Sequence, residues 1–416
     1  MTPDRLAILK AWVVTQIDAV RLQSRADVLK RQARLWRRFQ PVVARTPALA
    51  TFAGQPLGAF PISTPAKVRA DFARWNTLGL DEAVANAAAQ AAEAGLNGDL
   101  PNGLTAGFST GTSGTRGLFL ASPAERGAYV GHALARLLPV DAPLLRWRIA
   151  LCLRADSDLY RDVGGTGRVA FDFIGLDVAS EDRLARLERF RPHVLIAPSH
   201  VLADLARRCV APPDWPLRRL FYGAEPMGEG EQGWIGDRLG VRPDPIYQAT
   251  EGFIGAACRL GTLHLNEDVL IVEREPVAGT NRFRPIITDL RRASQPVVRM
   301  RLDDLLELAP PCACGSPLQA VRGVEGRFGD LWRWGEVVVP PRAVEDALLA
   351  AVGPEREWRA MASPDRVVVE VEAGVADRAA MAIAGLLAGV KDGPNIVTAE
   401  PPVEEGPKRR RVRWVA

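Results

Sequence analysis

Apolar residues recur at helical spacing from Leu6 to Arg38 and again from Leu80 to Ala94. This predicts a mainly helical region over residues 1–100, broken by a turn-rich stretch from Gly54 to Pro65. From about residue 147 the pattern changes. Short apolar runs at Arg148–Leu153, Val169–Gly175, His193–Ala197, Leu217–Tyr222 and Asp244–Gln248 read as strands. Between them, Ser180–Phe190, Ser199–Cys209 and Glu229–Leu239 carry helical spacing. Such alternation predicts an α/β layer with a largely parallel sheet. Ligands bind beyond the carboxyl ends of the strands in such sheets, so the loops after Tyr222 and Gln248 are expected site positions. Residues 255–325 look β-rich. Beyond a Gly-, Arg- and Trp-rich stretch at 326–335 comes a compact pattern of strand 336–339, helix 342–352, strands 358–362 and 366–372, and helix 376–390. That reads as a small α+β domain.

The chain has 416 residues and a net charge of +4, so it has length for two domains and no charge signature of a nucleic-acid partner. No apolar run reaches the roughly 20 residues that span a bilayer. The first 40 residues read as an amphipathic surface helix rather than a signal peptide or membrane anchor. Five cysteines, an odd number, do not suggest a secreted disulfide framework. A cytoplasmic protein is expected.

Candidate chemistry starts at Ser109-Thr110-Gly111-Thr112-Ser113-Gly114-Thr115-Arg116-Gly117. Glycines and hydroxyls of this density let backbone N–H groups approach phosphate oxygens closely. Phe108 before it and Leu118-Phe119-Leu120 after it look like buried strand ends, which argues against a free linker. The Gly-Lys-Ser/Thr ending of a Walker A loop is absent. Only Lys10, Lys30, Lys67, Lys391 and Lys408 are lysines, so a lysine at a special place draws notice.

Further motifs follow in order: Tyr222-Gly223-Ala224-Glu225-Pro226, Tyr247-Gln248-Ala249-Thr250-Glu251-Gly252, Pro296 to Leu305, Glu325 to Asp330, and Glu405-Gly406-Pro407-Lys408-Arg409. Their order and spacing resemble the adenylate-forming superfamily of acyl-CoA synthetases and adenylation domains, in its phenylacetate–CoA ligase and coenzyme-F synthetase branch. Asn76-Thr77, Leu153-Arg154-Ala155, Tyr247 to Gly252, Leu263 to Asp268 and Gln295-Pro296 resemble one clade of adenylate-forming enzymes within that branch.

The resemblance implies an α/β fold with a large N-terminal adenylate-forming domain (1–327) and a small mobile α+β C-terminal domain (328–416). It implies ATP- and Mg²⁺-dependent activation of a carboxylic acid as an acyl- or aryl-adenylate, with transfer to a thiol such as coenzyme A. Ser109 to Gly117 would hold the β- and γ-phosphates, with Arg116 in place of the lysine that many relatives carry. Gly223, Ala224 and Glu225 would line the adenine site and Tyr247 would stack on the base. Thr250 would contact the α-phosphate and Glu251 would bind Mg²⁺. Asp304 would take the ribose hydroxyls and Arg327 would sit near ribose and phosphates. Lys408 would bridge carboxylate and phosphate oxygens, although Pro407 separates it from the glycine that directly precedes lysine in the family. Gly329 would be the hinge. Alternative acceptors are an amine, a carrier protein or a cofactor receiving AMP. A nucleotide-binding protein without turnover is a further alternative, and relatives often form homodimers.

Cys258, His264, Cys312 and Cys314 form a separate set. Three thiols and one imidazole are a common structural zinc set, and a Cys-x-Cys-Gly turn lets two thiolates face one ion. Structural Zn²⁺ is expected in the β region of residues 255–325. Cys152 and Cys209 read as core residues, and His132, His193 and His200 as structural, with His200 also placed to line an acid pocket.

Overall fold

The computed structural model of the protein describes residues 4–94, 96, 98, 100–108, 117–141, 145–153, 169–401 and 410–415. Helix α1 (Arg5–Arg21) is capped by Asp4, whose carboxylate accepts from Ala7 N at 3.0 Å. Helix α2 (Arg25–Arg45) starts at a Ser24–Asp27 capping box. This box divides the continuous helical run expected from Leu6 to Arg38, and α2 continues past Pro41. After α3 (Pro65–Ala70) and α4 (Glu82–Glu93), a hairpin of β1 (Thr105–Phe108) and β2 (Leu118–Ala121) forms, packed on α4. Its strands are the two apolar runs that flank the Gly-rich stretch.

Helix α5 (Pro123–Leu137) lies so close to α1 that only glycine fits at two of its positions. A Cβ at Gly131 would stand 2.1 Å from Ile8 O, and one at Gly127 2.7 Å from Asp4 O. Then come β3 (Trp147–Leu153), β4 (Val169–Gly175), α6 (Ser180–Phe190), β5 (Val194–Pro198), α7 (Ser199–Arg208), β6 (Arg219–Gly223), α8 (Glu229–Leu239) and β7 (Pro243–Ala249). Strands β4-β3-β5-β6-β7 pair in parallel, as the alternation predicts. One face packs on α6, α7 and α8 and the other on α5.

At β7 the same sheet turns antiparallel. It continues through β8 (Gly252–Ala257), β9 (Leu263–Leu265), β10 (Leu270–Pro276), β11 (Arg282–Asp289), β12 (Val297–Arg301), β13 (Asp304–Leu308) and β14 (Ala320–Arg327). Its core includes Phe39 and Val43 of α2. Cys152 and Cys209 are buried, as expected of core residues.

The C-terminal domain has its own core. A ribbon of β15 (Trp332–Trp334) and β16 (Val337–Val339) leads to α9 (Pro341–Val352), β17 (Trp358–Ala362), β18 (Arg366–Val371), α10 (Ala376–Leu386), β19 (Asn395–Ala399) and β20 (Val412–Trp414). The sheet order is β19-β18-β17-β20. Neither β19 nor β20 stands out in the sequence pattern. Gly329 lies in a single 3₁₀ turn between β14 and β15.

Side chains fasten this domain to the large one. Arg411 makes two bonds to Glu231 of α8, at 2.8 and 3.0 Å. Arg342 donates to Met227 O at 2.8 Å, and Arg207 to Glu355 O at 3.1 Å.

Candidate active site

A cleft of about 1070 Å³ opens beyond the carboxyl ends of β5, β6 and β7. The tight turn after β6 forms one wall. Ala224 there takes φ +69°, a left-handed conformation uncommon outside glycine. Glu225 does not turn its carboxylate to the cleft alone. It accepts from Ser199 Oγ at 2.7 Å and His200 N at 3.2 Å, and His200 Nδ1 lies 2.9 Å away. Glu225 therefore braces the turn against the start of α7, leaving the backbone of Gly223 and Ala224 to face a ligand. His200, read above as structural or pocket-lining, is bound up in this brace.

Strand β7 supplies the floor. Tyr247 is buried in the main core, and its hydroxyl donates to Asp304 Oδ2 at 2.7 Å. Burial, reinforced by Asp304, holds this phenol well above its ordinary range, so it stays a donor. Asp304 opens β13 directly opposite Arg327 at the end of β14. The sheet register thus places a carboxylate and a guanidinium side by side at the rim. Thr250 and Glu251 form the turn from β7 to β8. Gly252 follows at φ +151°, where a Cβ would stand 3.0 Å from Asp289 Oδ2. Burial pushes the Glu251 carboxyl up, against its own backbone hydrogen bond and the Arg292 guanidinium. A carboxylate in that setting suits a hard cation.

Residues that sequence reasoning did not assign hold these groups. Arg292 donates to Thr250 O at 2.8 Å and to Gln295 Oε1 at 3.2 Å. Gln295 is buried and pairs with β2, accepting from Leu120 N at 3.0 Å and donating to Leu118 O at 3.4 Å. Glu125 of α5 accepts from Ala293 N at 2.5 Å and Ser294 N at 2.8 Å. Burial disfavours its charge, but hydrogen bonds from Ser294 and Ser122 outweigh this and keep the carboxyl below its usual range. Thr77 donates to Ala293 O at 3.0 Å, and Asn76 ties off the preceding turn through Phe72 O and Leu80 O. The Asn76-Thr77 and Gln295-Pro296 motifs signalled this scaffold. Arg292 had no signal, being one arginine among many.

Gly223, Ala224, Glu225, Tyr247, Thr250, Glu251, Asp304 and Arg327 therefore line one cleft. Ser109 to Arg116, Arg154, Ala155 and Lys408 lie outside the described residues. Leu151, Leu153, Ile196 and Tyr129 give the cleft an apolar end over β3 and β5.

The Cys258, His264, Cys312 and Cys314 ligand atoms gather apart from the cleft, all within 4.8 Å of one another. Cys258 Sγ and Cys312 Sγ are 3.8 Å apart, and Cys314 Sγ and His264 Nε2 3.4 Å. Tetrahedral zinc with Zn–S near 2.3 Å would place two sulfurs about 3.8 Å apart, so the set fits the ion. His264 Nδ1 lies 3.0 Å from Leu318 O, an arrangement that leaves Nε2 for a metal. Leu260 N and Ser316 N each donate to a cysteine sulfur.

No protein-family model matches the chain. Two curated relatives are similar over part of it. Phenylacetate-coenzyme A ligase of Pseudomonas putida is 26% identical over 186 residues, 41% of this chain and 42% of that protein. The ligase of the same name from Thermus thermophilus is 28% identical over 189 residues, with the same coverage. The match thus spans about two fifths of these relatives. Among solved structures, 2-hydroxyisobutyryl-CoA ligase in the postadenylation state with 2-HIB-AMP superposes with a TM-score of 0.66 at 17% identity, covering 93% of this chain and 90% of that one. The same ligase in an open conformation gives 0.52, with 98% and 90% covered. Amide bond synthetase McbA from Marinactinospora thermotolerans gives 0.54 at 18% identity, over 74% and 68%. Among the described residues no helix is long and apolar enough to cross a membrane. The chain has the fold of the adenylate-forming ligases, and part of its sequence resembles the phenylacetate–coenzyme A ligases among them.

Proposed function

We propose that the protein activates a carboxylic acid with ATP and passes the acyl group to coenzyme A. The convergence of Gly223-Ala224, Tyr247, Thr250-Glu251, Asp304 and Arg327 on one cleft carries this reading. In the first step a carboxylate oxygen attacks the α-phosphorus, the bond to the β-phosphate oxygen breaks, and pyrophosphate leaves. In the second a thiolate attacks the acyl carbon and AMP leaves.

The backbone of Gly223-Ala224 and the Tyr247 ring would enclose adenine. Asp304, fixed by Tyr247, would accept from the ribose hydroxyls, and Arg327 would meet ribose and phosphate. Thr250 would contact the α-phosphate. Ser109 to Thr115 and Arg116 would hold the β- and γ-phosphates, and Lys408 would bridge carboxylate and phosphate. Glu251 would hold Mg²⁺, which when bound neutralises phosphate charge in the meeting of two anions. The apolar end of the cleft would take the body of the acid. The boundary at Arg327/Phe328, the mobility of the C-terminal domain and a structural zinc at the Cys₃His cluster belong to the same proposal.

The test is pyrophosphate release from ATP across a panel of aryl and alkyl acids, with and without coenzyme A. Acid-dependent release and a thioester detected by mass are expected. ATP binding without release for any acid would refute the reading. Release with no thioester would move the acceptor to an amine or carrier protein.

A further inference from the structure

The nucleotide cleft is lined by several arginines, and their charges are not equally committed. Arg69 pairs with Glu82 at 2.6 Å, Arg284 with Asp303 at 3.1 Å, Arg291 with Asp289 at 3.2 Å and Arg301 with Glu275 at 2.9 Å. Arg292 differs. Its hydrogen bonds all go to neutral oxygens: Thr250 O at 2.8 Å, Gln295 Oε1 at 3.2 Å and, more loosely, Leu120 O at 3.5 Å. Among the described residues no carboxylate lies within ion-pair distance of it, and its charge reaches the buried Glu251 carboxyl only without contact. A guanidinium with no carboxylate in contact keeps N–H donors for an anion that bonds to it directly.

Its position says which anion. Leu120 lies in β2, the strand that leaves the Ser109–Gly117 stretch, and Thr250 lies in the turn beside Glu251. The guanidinium therefore spans the root of the Gly-rich hairpin and the Thr250 turn. The Ala293-Ser294 backbone next to it is gripped by Glu125 and Thr77, so the charge is presented from a fixed loop. A planar fork with spare donors matches phosphate oxygens.

We infer that Arg292 binds the β- and γ-phosphates of ATP, and the pyrophosphate they become. This rests on the cleft being an ATP site, as proposed above. A charge-assisted bond of this kind is worth about ten- to hundredfold in affinity.

The experiment measures dissociation constants for α,β-methylene-ATP, pyrophosphate and AMP, each with Mg²⁺, on wild-type protein and on Arg292→Gln and Arg292→Lys. In Arg292→Gln, the ATP analogue and pyrophosphate are expected to weaken about ten- to hundredfold, with AMP within about twofold. Arg292→Lys keeps the charge but loses the fork, so part of the affinity should return. Equal weakening of AMP would overturn the inference and reduce Arg292 to a support for Thr250. Unchanged affinity for the ATP analogue in both variants would overturn it too. A wild-type protein that binds no ATP analogue would instead overturn the proposed function itself.

Discussion

Replacing Glu231 by Gln should loosen the two domains from each other. Glu231 and Arg411 meet with side chains only 1% and 9% exposed, and the guanidinium also lies 5.2 Å from the centre of the Trp358 ring. The amide keeps the shape of the carboxylate and removes its charge, so Arg411 stays buried without its partner. Breaking a buried pair from one side costs about 3–5 kcal/mol. Glutamine retains one acceptor, which argues for about 3 kcal/mol, on the order of a hundredfold in the docked-to-undocked ratio. Hydrogen exchange across α8 and β20 in variant and wild type reads this, because undocking uncovers the faces that meet while α8 keeps its sheet and β20 its pairing with β17. A Glu231→Met, Arg411→Met double variant should recover most of the loss, since a well-packed apolar pair replaces a buried ion pair at little cost. A change below about 0.5 kcal/mol in Glu231→Gln, insensitive to the double substitution, would refute the argument and place the pair in solvent.

Other outcomes follow from neighbouring groups. Burial raises the Glu345 carboxyl to about 7 against Arg342 and Arg411, so its contribution to stability is complete below about pH 4.5 and is lost as the pH rises through 7. Glu345→Gln should remove about 3 kcal/mol of that slope in thermal melts between pH 4.5 and 8, and a variant with the wild-type slope would exclude Glu345 as its source. Tyr247→Phe takes the donor from Asp304 and should weaken AMP and the ATP analogue alike by about tenfold, in contrast to Arg292→Gln; a selective loss of the ATP analogue would contradict the ribose assignment. Metal analysis should find one zinc per chain, and Cys314→Ser should lower both the zinc content and the melting temperature. Zinc-free protein with an unchanged melt would count against the site.

Much of the parallel sheet was legible because a buried strand and an amphipathic helix write different periods into the chain. Ser180–Phe190 and Glu229–Leu239 keep the bounds their patterns predict. The ligand-bearing loops were legible for the same reason, since strand ends locate them. What escaped the pattern was set by distant partners. Helix α5 fits α1 through Gly127 and Gly131, and nothing local announces that contact. The short strand β20 follows a run of arginines and gains its sense only beside β17. Glu225 resembled a ligand residue until Ser199 and His200 were seen to engage it, and Arg292 was indistinguishable from its paired neighbours. The cysteine and histidine spacings marked two pairs, but only the fold of β8, β9 and the Cys312–Cys314 turn brings the four together.

Strand β20 has a mechanical consequence. Arg410, just before it, is tied to Asp330 at 3.2 Å, Arg411 is clamped to Glu231, and Val412 is registered on Ala360 of β17. Lys408 precedes Arg410 by two residues, a leash of at most about 7 Å of backbone. Covalent connection alone ties it to this domain. A rotation of the C-terminal domain away from α8 would have to break the Arg411–Glu231 clamp together with the Arg342 and Arg207 bonds, so side chains far from the cleft would set the cost of that motion.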